Sequence, residues 1–240
     1  MIRTTTKLAL LVAPLLLLLA ACGGGSGSPT ATIAVPTPTG TPGDPASTDA
    51  FGKLASKFAD LEGYRGVYDV KVDNGQGGGF SARMTFVQKG TSTRTELQGT
   101  SGSTQADITT IYDGKHLYIC QSNTCQEAAS GAQFQDPLST YAPARIVAQV
   151  VASGAVTVHP AAGQTIAGIE AKCFLLFEGT AQSTLCFDPG TGILLSLDGA
   201  VDQQGKTATT TIHAREASAK VDSIDLKPPY KVVEATPAAS

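Results

Sequence analysis

Between residues 64 and 226 the chain alternates apolar and polar side chains, segment after segment, with turn residues between the segments. Alternation shows over 64–72, 80–89, 94–98, 107–112 and 116–121, then over 170–177, 184–187, 193–198, 207–215 and 221–226. A period of two places neighbouring residues on opposite faces of a strand, so these segments commit the chain to a half-buried antiparallel sheet. The stretch 75–79 is a glycine-rich turn, Asp113-Gly114 a tight one, and 188–192 (Asp-Pro-Gly-Thr-Gly) and Asp198-Gly199 are strong turn signals. About ten strands follow from this pattern.

Four cysteines fix the register of two hairpins. A two-residue loop at Ser122-Asn123 makes Gln121 and Thr124 the closing pair and sets Cys120 opposite Cys125. A loop at Gly179-Thr180 puts Glu178 opposite Ala181 and, counting outward, Cys173 opposite Cys186. Both fall at non-hydrogen-bonded pairs, where Cα atoms approach to about 4.5 Å, within reach of a disulfide. The expected pairing is therefore Cys120–Cys125 and Cys173–Cys186. A four-cysteine metal site is disfavoured, because no Cys-x-x-Cys occurs and the loops between the cysteines are polar.

Two segments carry a helical period instead. Thr48 suits an N-cap, Phe51, Leu54, Ala55, Phe58 and Leu61 recur at helical spacing, and Gly63 stops the run, predicting a helix over 49–61. Pro143 opens a second, with Ile146, Val147, Val150 and Val151 on one stripe before Gly154. The fold class is mainly β (α+β): a long curved antiparallel sheet forming a half-open barrel, with two helices over its mouth. There is no Trp and there are only two Met, so bulky fillers are few and the barrel has room for an apolar ligand. Phe51, Phe58, Ile146 and Val150 are the expected lining of the cavity mouth. A barrel packed solid with Val, Leu and Ile is the alternative.

The amino-terminal region sets the location. Arg3 and Lys7 precede an apolar run over 8–21, too short for a membrane-spanning helix, which needs about 20 residues. Residues 1–21 therefore read as an export signal. The run ends in Leu19-Ala20-Ala21-Cys22, which resembles the lipobox of bacterial lipoproteins. That resemblance implies a diacylglyceryl thioether on Cys22, cleavage before it and further acylation of the new amino terminus. Residues 23–48 are mostly Gly, Pro, Ser and Thr and read, with Cys22, as a lipidated tether spanning roughly 28 Å. The folded domain is expected over 49–231, with a short tail over 232–240.

Charge and chemistry exclude several function classes. The chain has 17 Lys and Arg against 20 Asp and Glu, and loss of Arg3 and Lys7 with the signal makes the mature protein more acidic. No basic cluster is present, which argues against nucleic acid and against electrostatic adhesion to anionic lipid. Membrane attachment then rests on the acyl chains of Cys22. His116, His159 and His213 are far apart, and no Gly-x-Ser-x-Gly elbow occurs. Asp69 and Asp73 begin like a calcium loop but lack the later ligands. No catalytic residue, no metal site and no cofactor are expected.

Several short stretches stand together in order: Met84-Thr85-Phe86-Val87-Gln88-Lys89-Gly90, Ile111-Tyr112-Asp113-Gly114-Lys115-His116-Leu117-Tyr118, Phe187-Asp188-Pro189-Gly190-Thr191-Gly192-Ile193-Leu194, and Lys227-Pro228-Pro229-Tyr230. This order over residues 50–230 resembles the superfamily of the lipoprotein carriers LolA and LolB and of the actinobacterial lipoproteins LppX and LprG. The resemblance implies an eleven-stranded incomplete barrel with helices plugging its mouth and a hydrophobic cavity for acyl chains. The expected protein is a monomeric, exported, lipid-anchored lipoprotein that carries or presents lipids or acylated molecules at the cell envelope. The alternative is an envelope sensor or interaction lipoprotein of the same fold.

Overall fold

The structure, a computed structural model, describes residues 43–75, 78–101, 104–128, 138, 141–153, 156–179, 181–203 and 206–233. All belong to one of the chain's two compact units, Pro42–Ser240. The expected signal over 1–21, Cys22 and the expected tether up to residue 42 lie outside the described residues, as do residues 234–240 of the expected tail.

The sheet has thirteen strands: β1 (Gly63–Asp73), β2 (Gly79–Lys89), β3 (Ser92–Ser101), β4 (Thr104–Tyr112), β5 (Leu117–Gln121), β6 (Thr124–Glu127), β7 (Thr157–Pro160), β8 (Gln164–Ile166), β9 (Ile169–Glu178), β10 (Ala181–Phe187), β11 (Leu194–Gln203), β12 (Lys206–Ser218) and β13 (Val232–Val233). Their spatial order is β13-β6-β5-β4-β3-β2-β1-β12-β11-β10-β9-β7, with β8 hung on β9. β7 and β13 end the path and are not paired to each other, so the barrel is not closed. Every pairing is antiparallel except β13 with β6. The meander of β1–β6 and the meander of β9–β12 join where β1 pairs β12, which brings the two halves of the sequence into one sheet.

Strand register separates two faces. The row Tyr68–Met84–Leu97–Ile108 and the row Phe86–Thr95–Thr110–Ile119 point to the inner side. Asp69, Arg83, Gln98 and Asp107 make up a row on the outer side. On the outer side Arg215 holds Asp69 at 2.7 Å and His213 meets Asp198 at 2.7 Å. The larger part of the core lies on the inner side, beneath α1 (Pro45–Ala59) and α2 (Pro143–Ser153), and a smaller cluster of Ile111, Cys120 and Cys125 is buried on the outer side.

Four sequence expectations are corrected. Helix α1 begins at Pro45, capped by Asp44, four residues before the expected start and within the expected tether. Asp198-Gly199 is no turn: both sit inside β11, opposite Thr211 and Thr210. The residues 221–226 are not a strand; Ser223–Leu226 form a 3-10 helix. The short strands β7 and β8 were not anticipated, and the sheet has thirteen strands where the family resemblance implied eleven.

Candidate functional site

Helix α1 is held at one end of the inner face by its cap and by an aromatic cluster. The Asp44 carboxylate accepts the Ser47 backbone N–H at 3.0 Å and the Ser47 hydroxyl at 2.6 Å, and these bonds hold its pKa below the usual carboxylate range. Pro45 needs no N–H partner at the first helical position. The helix then buries Phe51, Leu54, Ala55 and Phe58. The Phe51 ring meets Phe174 and Phe187 edge-to-face, each with centroids 5.7 Å apart, and Phe58 meets Tyr64 at 5.0 Å. Edge-to-face pairs of this kind add about 0.5–1.5 kcal/mol each beyond burial.

The 188–192 turn forms the seat for this helix. Asp188 accepts the Gly190 N–H and the Thr191 hydroxyl. Lys57 of α1 donates to the Pro189 carbonyl at 3.2 Å. Gly192 has φ +78°, and a Cβ there would lie 2.5 Å from the Leu54 carbonyl oxygen and 2.7 Å from the Phe58 nitrogen. Only glycine allows both this conformation and this approach. Deeper in, the fully buried Tyr68 donates its hydroxyl to the Leu194 carbonyl at 3.0 Å, and burial drives the Tyr68 pKa well up.

Helix α2 covers less. Pro143 and Val147 are buried, Ile146 and Val150 are half-buried, and Val151 is 52% exposed. Just before it, Tyr141 meets Phe80 of β2 edge-to-face at 5.3 Å. The inner face of β2–β5 consists of Phe80, Ala82, Met84 and Phe86, then Thr95, Leu97 and Gly99, then Ala106, Ile108 and Thr110, then Leu117 and Ile119, with Gln88, Thr93 and Tyr112 toward one rim. No charged residue occupies an inner position on β1–β5 between Tyr64 and Gln121 among the described residues. Leu97, Ile108 and Ile119 remain half-buried.

The sequence-derived mouth residues thus divide. Phe51 and Phe58 are packed into the aromatic cluster at 5% and 3% exposure, whereas Ile146 and Val150 sit half-buried on α2. Two shallow grooves among the described residues lie elsewhere. One, of about 480 Å³, runs between the start of α1 (Gly43, Pro45, Thr48, Asp49) and Val156, Thr157 and Val158. The other, of about 370 Å³, lies on the outer side against Tyr230.

Both expected cysteine pairs are joined. Ser122 and Asn123 both have positive φ, +52° and +64°, the geometry of a tight two-residue hairpin turn. It sets Cys120 opposite Cys125, bonded with Cα atoms 3.9 Å apart. Cys173 and Cys186 are opposite each other and bonded, with Cα atoms 4.0 Å apart. All four point to the outer side and are nonetheless buried. Over Cys120 and Cys125 passes the segment after β12, a strap that sequence reasoning missed. The Arg94 guanidinium donates to the Asp225 and Lys227 carbonyls, both at 3.2 Å, and pairs with Glu96. The Cys125 N–H donates to the Lys231 carbonyl, and β13 then pairs with β6.

His116 pairs with Asp113 at 3.3 Å, and His159 stacks edge-on against Phe177. Among the described residues no group of three or more His, Cys, Asp or Glu is placed to hold a metal. No described helix is long and apolar enough to cross a membrane.

No protein-family model matches the chain, and no curated protein matches it in sequence. Solved structures do. MucB superposes with a TM-score of 0.50 and 14% identity over 78% of this chain, which spans 64% of MucB's length. LprF from Mycobacterium bovis superposes with a TM-score of 0.52 and 11% identity, over 79% of this chain and all of that one. A LolA superfamily protein from Nitrosomonas europaea gives 0.36 and 8% over 76% of this chain and 97% of that one. The chain therefore shares its fold with LprF and MucB, a LolA/LolB/LppX-like fold of the kind that the motif order resembled.

Proposed function

We propose that this protein is a lipid-binding lipoprotein, held at the extracytoplasmic face of a bacterial membrane by acyl chains on Cys22, that carries or presents lipids or acylated molecules. The observation that supports it most is the uncharged inner face of β1–β5, which keeps three half-buried aliphatic side chains at its far end. Acyl chains gain about 25 cal/mol for each Å² of apolar surface they remove from water against such a wall. The charged residues of the same strands, Asp69, Arg83, Arg94 and Glu96 among them, occupy the other face and would not oppose that transfer. Ile146 and Val150 would line the entrance, while Phe51 and Phe58 would close the opposite end. The role is binding, with no reaction to catalyse.

The test is mass spectrometry of organic extracts from the mature chain carrying Cys22→Ser, which has no acyl groups of its own to contribute. Lipid recovered near one per protein supports the reading. A folded, consistently empty protein would sink it and leave the interaction-lipoprotein reading in its place.

A further inference from the structure

On the outer side, β4 is longer than the hairpin beside it. Thr109 lies opposite Cys120 at the last β4–β5 pair, while Asp107 and Gln105 continue the same side of β4 past the Ser122-Asn123 tip. The step between the long strand and the short hairpin is the outer groove of about 370 Å³, lined also by Gln121, Ser122, Asn123 and Tyr230 of the strap. Gln105, Asp107, Gln121 and Asn123 are exposed, and their side chains have no hydrogen-bond or ion-pair partner among the described residues. Other acids on this face are paired: Asp69 with Arg215, Asp198 with His213 and Glu96 with Arg94. Tyr230 is 41% exposed, yet its backbone is held. Pro228 and Pro229 restrict the chain before it, and the next carbonyl, that of Lys231, accepts the Cys125 N–H at 3.1 Å. The Cys120–Cys125 bond in turn staples the hairpin. The backbones that present the ring and the amides are thus tied together in advance, which lowers the ordering cost of binding.

We infer that this groove binds a neutral sugar ring of a glycan, with a C–H face of the ring against Tyr230 and its hydroxyls bonded to Asp107, Gln105 and Asn123. An amide donates and accepts at once, and a carboxylate accepts from two neighbouring hydroxyls, which matches adjacent sugar hydroxyls that are themselves donors and acceptors. The face of an aromatic ring is negative and attracts the C–H hydrogens of a sugar, while the phenol hydroxyl stays in water. An anionic ligand is disfavoured, because Asp107 is the one charged residue among those lining the groove and would repel it. A purely apolar ligand is disfavoured, because the exposed residues around Tyr230 are polar and would lose water without a partner. A peptide is disfavoured, because no apolar pocket beside Tyr230 would take its side chains among the described residues. The inference does not depend on the lipid-binding reading, whose ligand would lie on the inner face.

The experiment uses the mature chain with Cys22→Ser, alone and with Tyr230→Ala, Tyr230→Phe or Asp107→Ala. Each protein is titrated by saturation-transfer NMR with maltotriose, mannotriose, cellotriose and chitotriose, with trigalacturonate as the anionic control and N-acetyl-trialanine amide as the peptide control. Ligand-free thermal unfolding is recorded for each. The expected result is that at least one neutral trisaccharide binds, and that Tyr230→Ala and Asp107→Ala each weaken it about three- to tenfold without lowering the melting temperature. Tyr230→Phe keeps the ring face and should retain binding, and trigalacturonate should bind more weakly than the best neutral sugar. If Tyr230→Ala loosens the strap and melts lower, Asp107→Ala, at an exposed position of β4, decides the matter. No binding of any neutral trisaccharide, binding that Asp107→Ala leaves unchanged, a preference for trigalacturonate, or binding of the peptide alone overturns the inference.

Discussion

The two ends of the inner wall share one sheet and one period, yet they are built from different side chains. Beneath α1, the strands β9–β12 present Phe174, Leu185, Phe187, Leu194, Leu195 and Ile212, each at 1% exposure or less. Across the barrel, β3–β5 present Thr95, Thr110, Gly99 and Ala106 among half-buried Leu97, Ile108 and Ile119. Gly99 marks the difference in scale: a Cβ there would lie 2.5 Å from the Cβ of Ala82 on the neighbouring strand. Large rings interlock and fix the position of the helix. Small and hydroxylated residues let the strands approach closely there, while Leu97, Ile108 and Ile119 stay half-buried. On the proposed function, stability and ligand binding would fall to opposite ends of a single sheet.

Truncations at the two ends should differ most. Phe51→Ala removes the ring that joins Phe174 and Phe187 and is expected to cost about 3–5 kcal/mol. Ile146→Ala, on the half-buried stripe of α2, should cost about 1–2 kcal/mol, since less surface returns to water. Urea unfolding with linear extrapolation measures both. Equal costs would show that α2 is packed as tightly as α1 and would erase the contrast.

The disulfides allow a second, smaller comparison, because one belongs to each end. Cys173–Cys186 joins β9 to β10 across a separation of 13 residues, and Cys120–Cys125 joins β5 to β6 across 5. Loop-closure entropy makes the longer bridge worth about 3 kcal/mol and the shorter about 2 kcal/mol. Paired Cys→Ser variants, unfolded under identical conditions, should preserve that order. A larger loss from the shorter bridge would mean that Cys120–Cys125 acts mainly by holding the strap, through the Cys125 N–H and the Lys231 carbonyl.

Local features were legible in the sequence, and non-local ones were not. The register of both cysteine hairpins could be counted because two central turn residues determine every pair that follows. Helix α2 was legible for the same reason, since Pro143 and a 3.6-residue period are contained in the segment itself, but of its expected stripe only Val147 is buried and Val151 is exposed. Asp198-Gly199 failed as a turn because its fate depends on β12, where Asp198 finds His213 and Gly199 lies extended opposite Thr210. The early start of α1 was signalled by Asp44, Pro45 and Ser47, but the surrounding proline and glycine obscured it. The strap alternates like a strand, yet most of it crosses strands instead of pairing along one. At the inner face, alternation could show which residues point inward. It could not show that Phe51 and Phe58 would be filled in while Ile146 and Val150 stayed half-buried, since that depends on Phe174, Phe187 and Tyr64 arriving from distant strands.

The smallest expected effect concerns acid, and it begins at the cap of α1. The Ser47 hydroxyl and backbone N–H lower the Asp44 pKa in the folded state, so the carboxylate favours folding at every pH above its unfolded value near 3.9. That contribution is lost as pH falls from there through the lowered folded value. Asp69 behaves with the same sign on the outer face, where Arg215 bonds it, so the wild type should lose stability in this window from more than one site. Asn accepts the same backbone bond but does not titrate. Melting temperatures of wild type and Asp44→Asn should therefore lie close together at pH 7 if the amide caps as well, with the wild type falling more steeply below pH 4. Asp44→Ala should melt lower than both at pH 7 and approach the wild type as the pH drops. Parallel curves for wild type and Asp44→Asn would show that α1 is held by its aromatic cluster alone, with no titrating contribution from its cap.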